Sequence, residues 1–227
     1  MLSAEQYRTL LEGARVTLEV TALAVAWGTV VAVVLGVASL SPIGPLRWLV
    51  RVYVEVLRGV SAIILIVWAY YALPLFGIVL SPLQAGVLAL GLNLSAYGTE
   101  IVRGAVQAVQ PGQAEAAIAI KLSSRQRLWS ITLPQAMVSM LPPYGNLLIE
   151  IMKASALVSL IAMRDITERA QNMRQVGSAG TVDIFVAALV IYFAISLAIT
   201  GVVRLLERRF GRGLDTGRQA VKLGVSK

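Results

Sequence analysis

The chain has 227 residues, 57% of them hydrophobic and 14% charged, with 20 basic and 12 acidic side chains for a net charge of +8. That composition is greasier than a water-soluble domain and is that of a membrane protein. With no cysteine and no histidine, disulfides, thiolate metal sites and imidazole chemistry are excluded.

In chain order, residues 1–15 come first. Leu2, Tyr7, Leu10, Leu11 and Ala14 mostly share one helix face there, so a helix lying along the outer membrane surface is expected. Glu5, Arg8 and Glu12 precede any apolar run, so no cleaved signal peptide is expected. Charge-free runs follow at 20–46, 59–99, 128–149 and 184–203. A helical crossing takes about 20 apolar residues. The run 59–99 is too long for one, and Pro74, Gly77 and Pro82 divide it at a short uncharged turn. Five spans are predicted, over 16–41, 49–72, 83–103, 134–160 and 182–206. The fourth is the least regular, with Pro134, Pro142, Pro143 and Gly145 inside it. A polar amphipathic segment at 164–177 is expected as a short helix over the outer mouth. Residues 1–210 form one transmembrane unit, and 211–227 a Gly- and charge-rich cytoplasmic tail ending in disorder.

An odd number of spans puts the two ends on opposite sides, and basic residues favour the cytoplasm. With the C-terminus inside, the inner segments hold twelve basic residues (Arg47, Arg51, Lys121, Arg125, Arg127 and seven at or beyond Arg204) against Glu115, Glu207 and Asp215. The outer segments hold five of each sign. The predicted orientation is therefore N-terminus outside, C-terminus inside. The basic excess then faces anionic headgroups, and no nucleic-acid partner is needed to explain it.

Between the third and fourth spans the chain leaves the membrane over 111–134. Ala114, Ala117, Ile118 and Leu122 give a small apolar helix face. Ser123 and Gln126 form a capping-box pattern that starts a second short helix, with Leu128, Trp129 and Thr132 on one face. Glu115 favours the first helix from near its N-terminus. Two short helices at an angle make a rigid knob. The plainer reading is an ordinary Ala-rich loop. Against it stand Glu115, Ala116 and Ala117, then Leu133 and Pro134, flanked by Gln110-Pro111-Gly112-Gln113 and Gln135-Ala136.

Three acid–base pairs share one spacing: Glu55 and Arg58, Glu100 and Arg103, Glu150 and Lys153. Residues i and i+3 are helix neighbours, so each pair can neutralise itself. Unpaired charges within a bilayer mark function by default. Glu100 and Arg103 sit near the inner end of their span and read as a structural link to the loop. Glu150 and Lys153 sit deep, beside broken helix geometry, where backbone can face a cavity. A zwitterionic solute needs contacts of both signs. Lys153 with Ser155 suits a carboxylate; Glu150, or the ring faces of Tyr70 and Tyr71, suits a delocalised cation. Trp68, Tyr70 and Tyr71 also read as interfacial belt residues.

These features carry a resemblance. The 111–134 loop, Glu55-Val56-Leu57-Arg58-Gly59, the stretch from Ala96-Tyr97 to Arg103-Gly104, Leu141-Pro142-Pro143-Tyr144-Gly145-Asn146 and 153–159 (KASALVS) resemble the polar amino-acid class of ABC importer permeases, over nearly the whole chain. The wording at 85–93 (AGVLALGLN) and 152–160 (MKASALVSL) is most similar to permease subunits of ectoine/hydroxyectoine importers.

The resemblance implies an all-α membrane protein: a five-span type I ABC importer transmembrane domain, MetI-like, with a cytoplasmic coupling-helix loop, in a bacterial inner membrane. It implies a pair of ATPase subunits docked on Glu115, Ala116, Ala117, Lys121, Arg125, Leu133 and Pro134, a second permease subunit, identical or homologous, and an extracytoplasmic substrate-binding protein. The expected substrate pathway holds Glu55, Arg58, Tyr70, Tyr71, Asn93, Tyr97, Glu150, Lys153 and Ser155. No catalytic or metal-ligating residue, and no cofactor of its own, is expected; ATP and Mg belong to the partner ATPase, since the chain carries no G-x-x-x-x-G-K-[ST]. In two places the chain departs from the pattern. Lys121 stands where such loops usually carry glycine, which makes a left-handed turn costlier. Ala154 stands where many such permeases carry aspartate. The rival reading is a secondary transporter or channel subunit, which often shows two related halves; no repeat is detectable here.

Overall fold

The computed structural model describes residues 2–211, and within them every regular element is a helix. The expected tail thus lies outside the described residues but for Gly211. Helix α1 covers Ala4–Ala38. Ser3 opens it with a capping box: its hydroxyl accepts from the Gln6 amide at 3.3 Å, and the Gln6 side chain accepts from the Ser3 amide at 2.7 Å. No break separates 1–15 from the span, which corrects the expected surface helix. Nothing in 4–38 stops a helix, so the amphipathic start and the apolar run form one rod, about 52 Å long at 1.5 Å per residue.

The second expected span is a bent pair. Helix α2, Gly44–Gly59, and helix α3, Ala62–Val67, which runs on through a π turn (Trp68–Ala72) and a 3-10 turn (Leu73–Phe76), meet at 97°. Gly59 ends α2, Val60 and Ser61 are extended, and Ser61 starts α3. Helix α4, Pro82–Gln107, opens on a second capping box, Ser81 with Gln84. Helices α5 (Pro111–Ala119) and α6 (Ser124–Arg127) make the loop. A π turn leads into α7, Leu133–Ala154, which continues through Pro142 and Pro143 and tightens into a 3-10 segment, Ser155–Ile161. Helix α8, Ile166–Gln175, and helix α9, Thr181–Gly211, complete the chain. Among the described residues, four helices are long and apolar enough to cross a membrane, or five crossings if the bent pair counts as one.

Two helix interfaces build the centre, α1 against α4 and α4 against α7. Lipid tails are as apolar as leucine, so such contacts rest on close packing rather than on escape from water. Small residues supply it. Ala24, Gly28, Ala32 and Gly36 follow at intervals of four on the buried side of α1. A Cβ on Gly28 would lie 2.8 Å from the Gly91 carbonyl oxygen, and the Trp27 indole occupies the space a Cβ on Gly91 would take. Trp27 Nε1 also donates to the Val87 carbonyl at 3.1 Å. Cross-helix hydroxyl bonds add direction: Tyr144 donates to Thr29 Oγ1 at 2.8 Å, and Tyr53 and Ser95 share a bond at 2.6 Å.

A second core lies where α1 begins. Leu10 and Ala14 pack with Ile166, Ala170, Met173 and Ile184 of α8 and α9. Gly13 lets α1 approach the start of α8 so closely that a Cβ would come 2.8 Å from the Asp165 carbonyl oxygen. Arg169 pairs with Glu12 at 3.3 Å across this contact. The expected helix over 164–177 is thus present, and α1 and α9 hold it.

Candidate functional site

The break at Gly59–Ser61 turns α2 away from α3 beside α4 and α7, and a cavity of about 340 Å³ opens there. The 59–62 backbone forms one wall; Arg58, Asn93, Tyr97, Glu150 and Ala154 line the rest. Asn93 and Tyr97 stand about 16 and 22 Å along α4 from its start, so the cavity sits near the middle of a crossing about 30 Å thick. A second cavity of about 320 Å³ continues toward the 108–132 end, past Glu100, Pro143 and Asn146, and shares Arg58, Tyr97 and Glu150 with the first. The two form one lane between α4 and α7.

Charge is distributed unevenly along this lane. The Arg58 guanidinium carbon lies 5.1 Å from the centroid of the Tyr97 ring, a cation–π contact. Of the three acid–base spacings, one closes. Arg103 holds Glu100 in a two-pronged bond, Nη2 to Oε2 at 2.5 Å and Nε to Oε1 at 3.2 Å, and Gln107 Oε1 accepts from Arg103 Nη1 at 2.9 Å. Among the described residues, no ion pair joins Glu55 to Arg58 or Glu150 to Lys153. The spacing that allows all three pairs to neutralise themselves is thus used by one of them. One cation and one carboxylate, Arg58 and Glu150, therefore face the same cavity without a salt-bridge partner.

Four of the nine expected pathway residues, Arg58, Asn93, Tyr97 and Glu150, line the lane. The others lie elsewhere. Glu55 is exposed one turn before Arg58, and Lys153 is exposed beyond Glu150. Ser155 is buried and donates to the Met152 carbonyl of its own helix at 2.7 Å. Tyr70 packs against the core, edge-on to Tyr71 with ring centroids 4.9 Å apart, and the exposed Tyr71 donates to the Leu160 carbonyl at 3.4 Å. The sequence reading missed the wall of 59–62, Glu100 as a lining residue, and Asn146. Gly59 two residues before Ser61 was the available signal for the first; Asn146 in a proline- and glycine-broken stretch was the signal for the last.

The 111–134 loop forms the expected knob. Ile120 and Lys121 amides donate to the Ala116 and Ile118 carbonyls, and the Leu122 amide reaches back to Ala117 at 3.0 Å. This is a Schellman closure, which needs a left-handed residue, and Lys121 takes that place with φ +58°. The join therefore keeps the left-handed turn despite the missing glycine. Ser123 and Gln126 make the expected capping box, and Gln135 Nε2 ties α7 back to Gln113 at 3.3 Å. Ala117 and Leu133 face the loop's interior, while Glu115, Ala116, Lys121 and Pro134 are exposed. Arg125 falls within α6. Ile118, Ile120 and Trp129 are 57%, 70% and 60% exposed, an apolar patch on an otherwise polar protrusion.

At the α8 end the pattern reverses. Asp165 is fully buried and caps α8, accepting the Glu168 amide at 2.9 Å and the Tyr192 hydroxyl at 3.3 Å. Burial pushes its carboxyl above the usual carboxylate range, and the bonds from Glu168, Thr167 and Tyr192 counter that in part.

Comparison with known proteins agrees over most of the length. A crystal structure of an amino acid ABC transporter with histidines superposes with a TM-score of 0.82 at 33% identity, covering 89% of this chain and 94% of that one. An inward-facing structure of the MetNI methionine ABC transporter shares the fold at a TM-score of 0.79 and 19% identity, covering 92% and 99%. A probable amino-acid ABC transporter permease protein of Sinorhizobium fredii, y4tF, is 41% identical over 201 residues, 86% of this chain and 84% of its own. Residues 27–212 match a single family. The chain belongs to the binding-protein-dependent transport system inner membrane components, with the all-helical MetI-like fold of that family.

Proposed function

We propose that this chain is the permease subunit of an ATP-driven importer, and that the lane between α4 and α7 is its share of the passage. The cargo is a polar amino acid or a zwitterion derived from one, of the ectoine or hydroxyectoine kind. The observation that carries this reading is the meeting of Arg58 and Glu150, both unpaired, around a mid-membrane cavity. A carboxylate approaches Arg58 and a delocalised cation approaches Glu150, with Tyr97 and Asn93 between them. This replaces the contacts expected of Lys153, Ser155, Tyr70 and Tyr71. The 85–93 and 152–160 stretches support an ectoine-like cargo, and Ala154 supports a neutral one, because no second carboxylate lines the first cavity.

In this reading the 111–134 knob seats in an ATPase subunit that holds ATP and Mg, through Glu115, Ala116, Ala117, Lys121, Arg125, Leu133 and Pro134. Its closed turn and its exposed Ile118, Ile120 and Trp129 suit a rigid lever pressed into a cleft, which transmits rigid-body motion. A second permease completes the passage, and an extracytoplasmic binding protein delivers cargo to the α8 side. The distribution of basic residues supports a reading with that side outside the inner membrane and the knob in the cytoplasm. The test is uptake by cells making Arg58→Gln or Glu150→Gln permease beside its native partners. Import should fall while ATPase co-purification persists; undiminished import by both variants would remove the lane from the passage.

A further inference from the structure

We infer that Arg103 is a positioning residue that keeps Glu100 away from Arg58, leaving Arg58 free to face cargo. The inference rests on the α4–α7 lane being the passage. Glu100 and Arg58 line the same 320 Å³ cavity. An unrestrained carboxylate beside an unpaired guanidinium in a half-desolvated lane pairs with it, because paired charges are favoured where water is scarce. Arg58 is nevertheless seated on the Tyr97 ring. The competing partner is Arg103, which binds both oxygens of Glu100. Gln107 takes a further Arg103 donor and fixes its fork. A two-pronged guanidinium–carboxylate bond is geometrically demanding, and a lysine point charge does not reproduce it. Glu100 is therefore a latent competitor for Arg58, lying on α4 one helical turn from Tyr97, the ring on which Arg58 is seated.

The test needs no identified cargo. The chain contains no cysteine, so Ala154→Cys places a single thiol in the wall of the first cavity. Its labelling rate is measured in inside-out and right-side-out membrane vesicles, on the assembled importer. Two methanethiosulfonates of similar size are used, one bearing a sulfonate and one a trimethylammonium group. Adding Arg103→Gln should lower the sulfonate-to-ammonium rate ratio about fivefold, as expected for losing one nearby unit charge in a wet site. Adding Glu100→Gln to that background should return the ratio to its starting value, and Arg103→Lys should restore it only in part. An unchanged ratio in Arg103→Gln, or a lowered ratio that Glu100→Gln does not restore, overturns the inference and leaves the lane standing. A thiol that neither reagent reaches from either side overturns the reading of the lane itself.

Discussion

Two polar sites interrupt this apolar chain, and they are built on opposite plans. Around Asp165 the carboxyl and hydroxyl groups are drawn into one hydrogen-bonded cluster. The carboxylate is fully buried, caps α8 and accepts from Tyr192, while Thr167 bonds the same tyrosine at 3.0 Å. Around Arg58 and Glu150 both charges are left without an ion-pair partner and both border open volume. A satisfied buried polar group contributes to structure, and its loss leaves partners unpaired. An unsatisfied charge at membrane depth is costly and is kept for something that arrives. Polar character alone therefore does not mark a site here; the state of its hydrogen bonds does.

The comparison breaks most sharply under charge removal. Arg58→Gln or Glu150→Gln should reduce import by about a hundredfold, the loss expected when a charge-assisted contact of about 3 kcal/mol disappears. Thermal unfolding of the detergent-solubilised subunit should move by no more than about 0.5–1 kcal/mol, since neither charge has an ion-pair partner and Arg58 gives up only its contact with the Tyr97 ring. Asp165→Asn should do the reverse. It should lower stability by about 1–3 kcal/mol, because the amide has one acceptor oxygen where the carboxyl uses two, for the Glu168 amide and the Tyr192 hydroxyl, with import per folded molecule retained. Equal damage to import and stability at both places would erase the distinction.

Acidity separates the two sites next. Burial holds the Asp165 carboxyl above its ordinary value near 3.8. The folded state thus binds this proton more tightly than the unfolded state. By linkage, the contribution is complete below the unfolded value and fades as pH rises through the folded one. The packing of α8 on α1 and α9 should accordingly tighten as pH falls into the window just above 3.8. Amide hydrogen exchange over 166–175 would report it, and Asp165→Asn should flatten the slope.

Much of this fold was legible from residue order, for definite reasons. Long charge-free runs can only be crossings, and Ser123 with Gln126 announced the helix start that it makes. The 97° bend was not read, because Gly59 and Ser61 fall inside the predicted 49–72 span and a lone glycine or serine is tolerated within a helix. Nor was the continuity of α1, since an amphipathic segment before a span looks alike whether it turns along the surface or projects as the same rod. The site was half legible. Spacing of three along a helix picked out charged neighbours, but whether they pair depends on a third element. Glu100 found Arg103 because Gln107 steadies the fork, whereas Arg58 was drawn to Tyr97 on another helix. The first choice is made within α4, whereas the Arg58 choice is tertiary, and local spacing carries no record of it.

The smallest expected effect lies in the docking knob. Lys121 holds the left-handed place of the Schellman turn at φ +58°, where a Cβ costs about 1–2 kcal/mol relative to glycine. Glycine regains that strain but loses part of it again to the greater freedom of its unfolded chain, about 0.5–1 kcal/mol. Lys121→Gly should therefore stabilise the loop by up to about 1 kcal/mol, read as slower amide exchange at Leu122, whose bond to Ala117 closes the turn. If the turn serves only as geometry, ATPase coupling will be unchanged. If the exposed ammonium also meets an acidic surface of the motor, Lys121→Gly will weaken the complex while Lys121→Arg keeps it, and the weakening will shrink as salt is raised, since exposed ion pairs are screened over about 10 Å at 0.1 M. Those two outcomes decide whether lysine stands there in spite of its backbone or because of its charge.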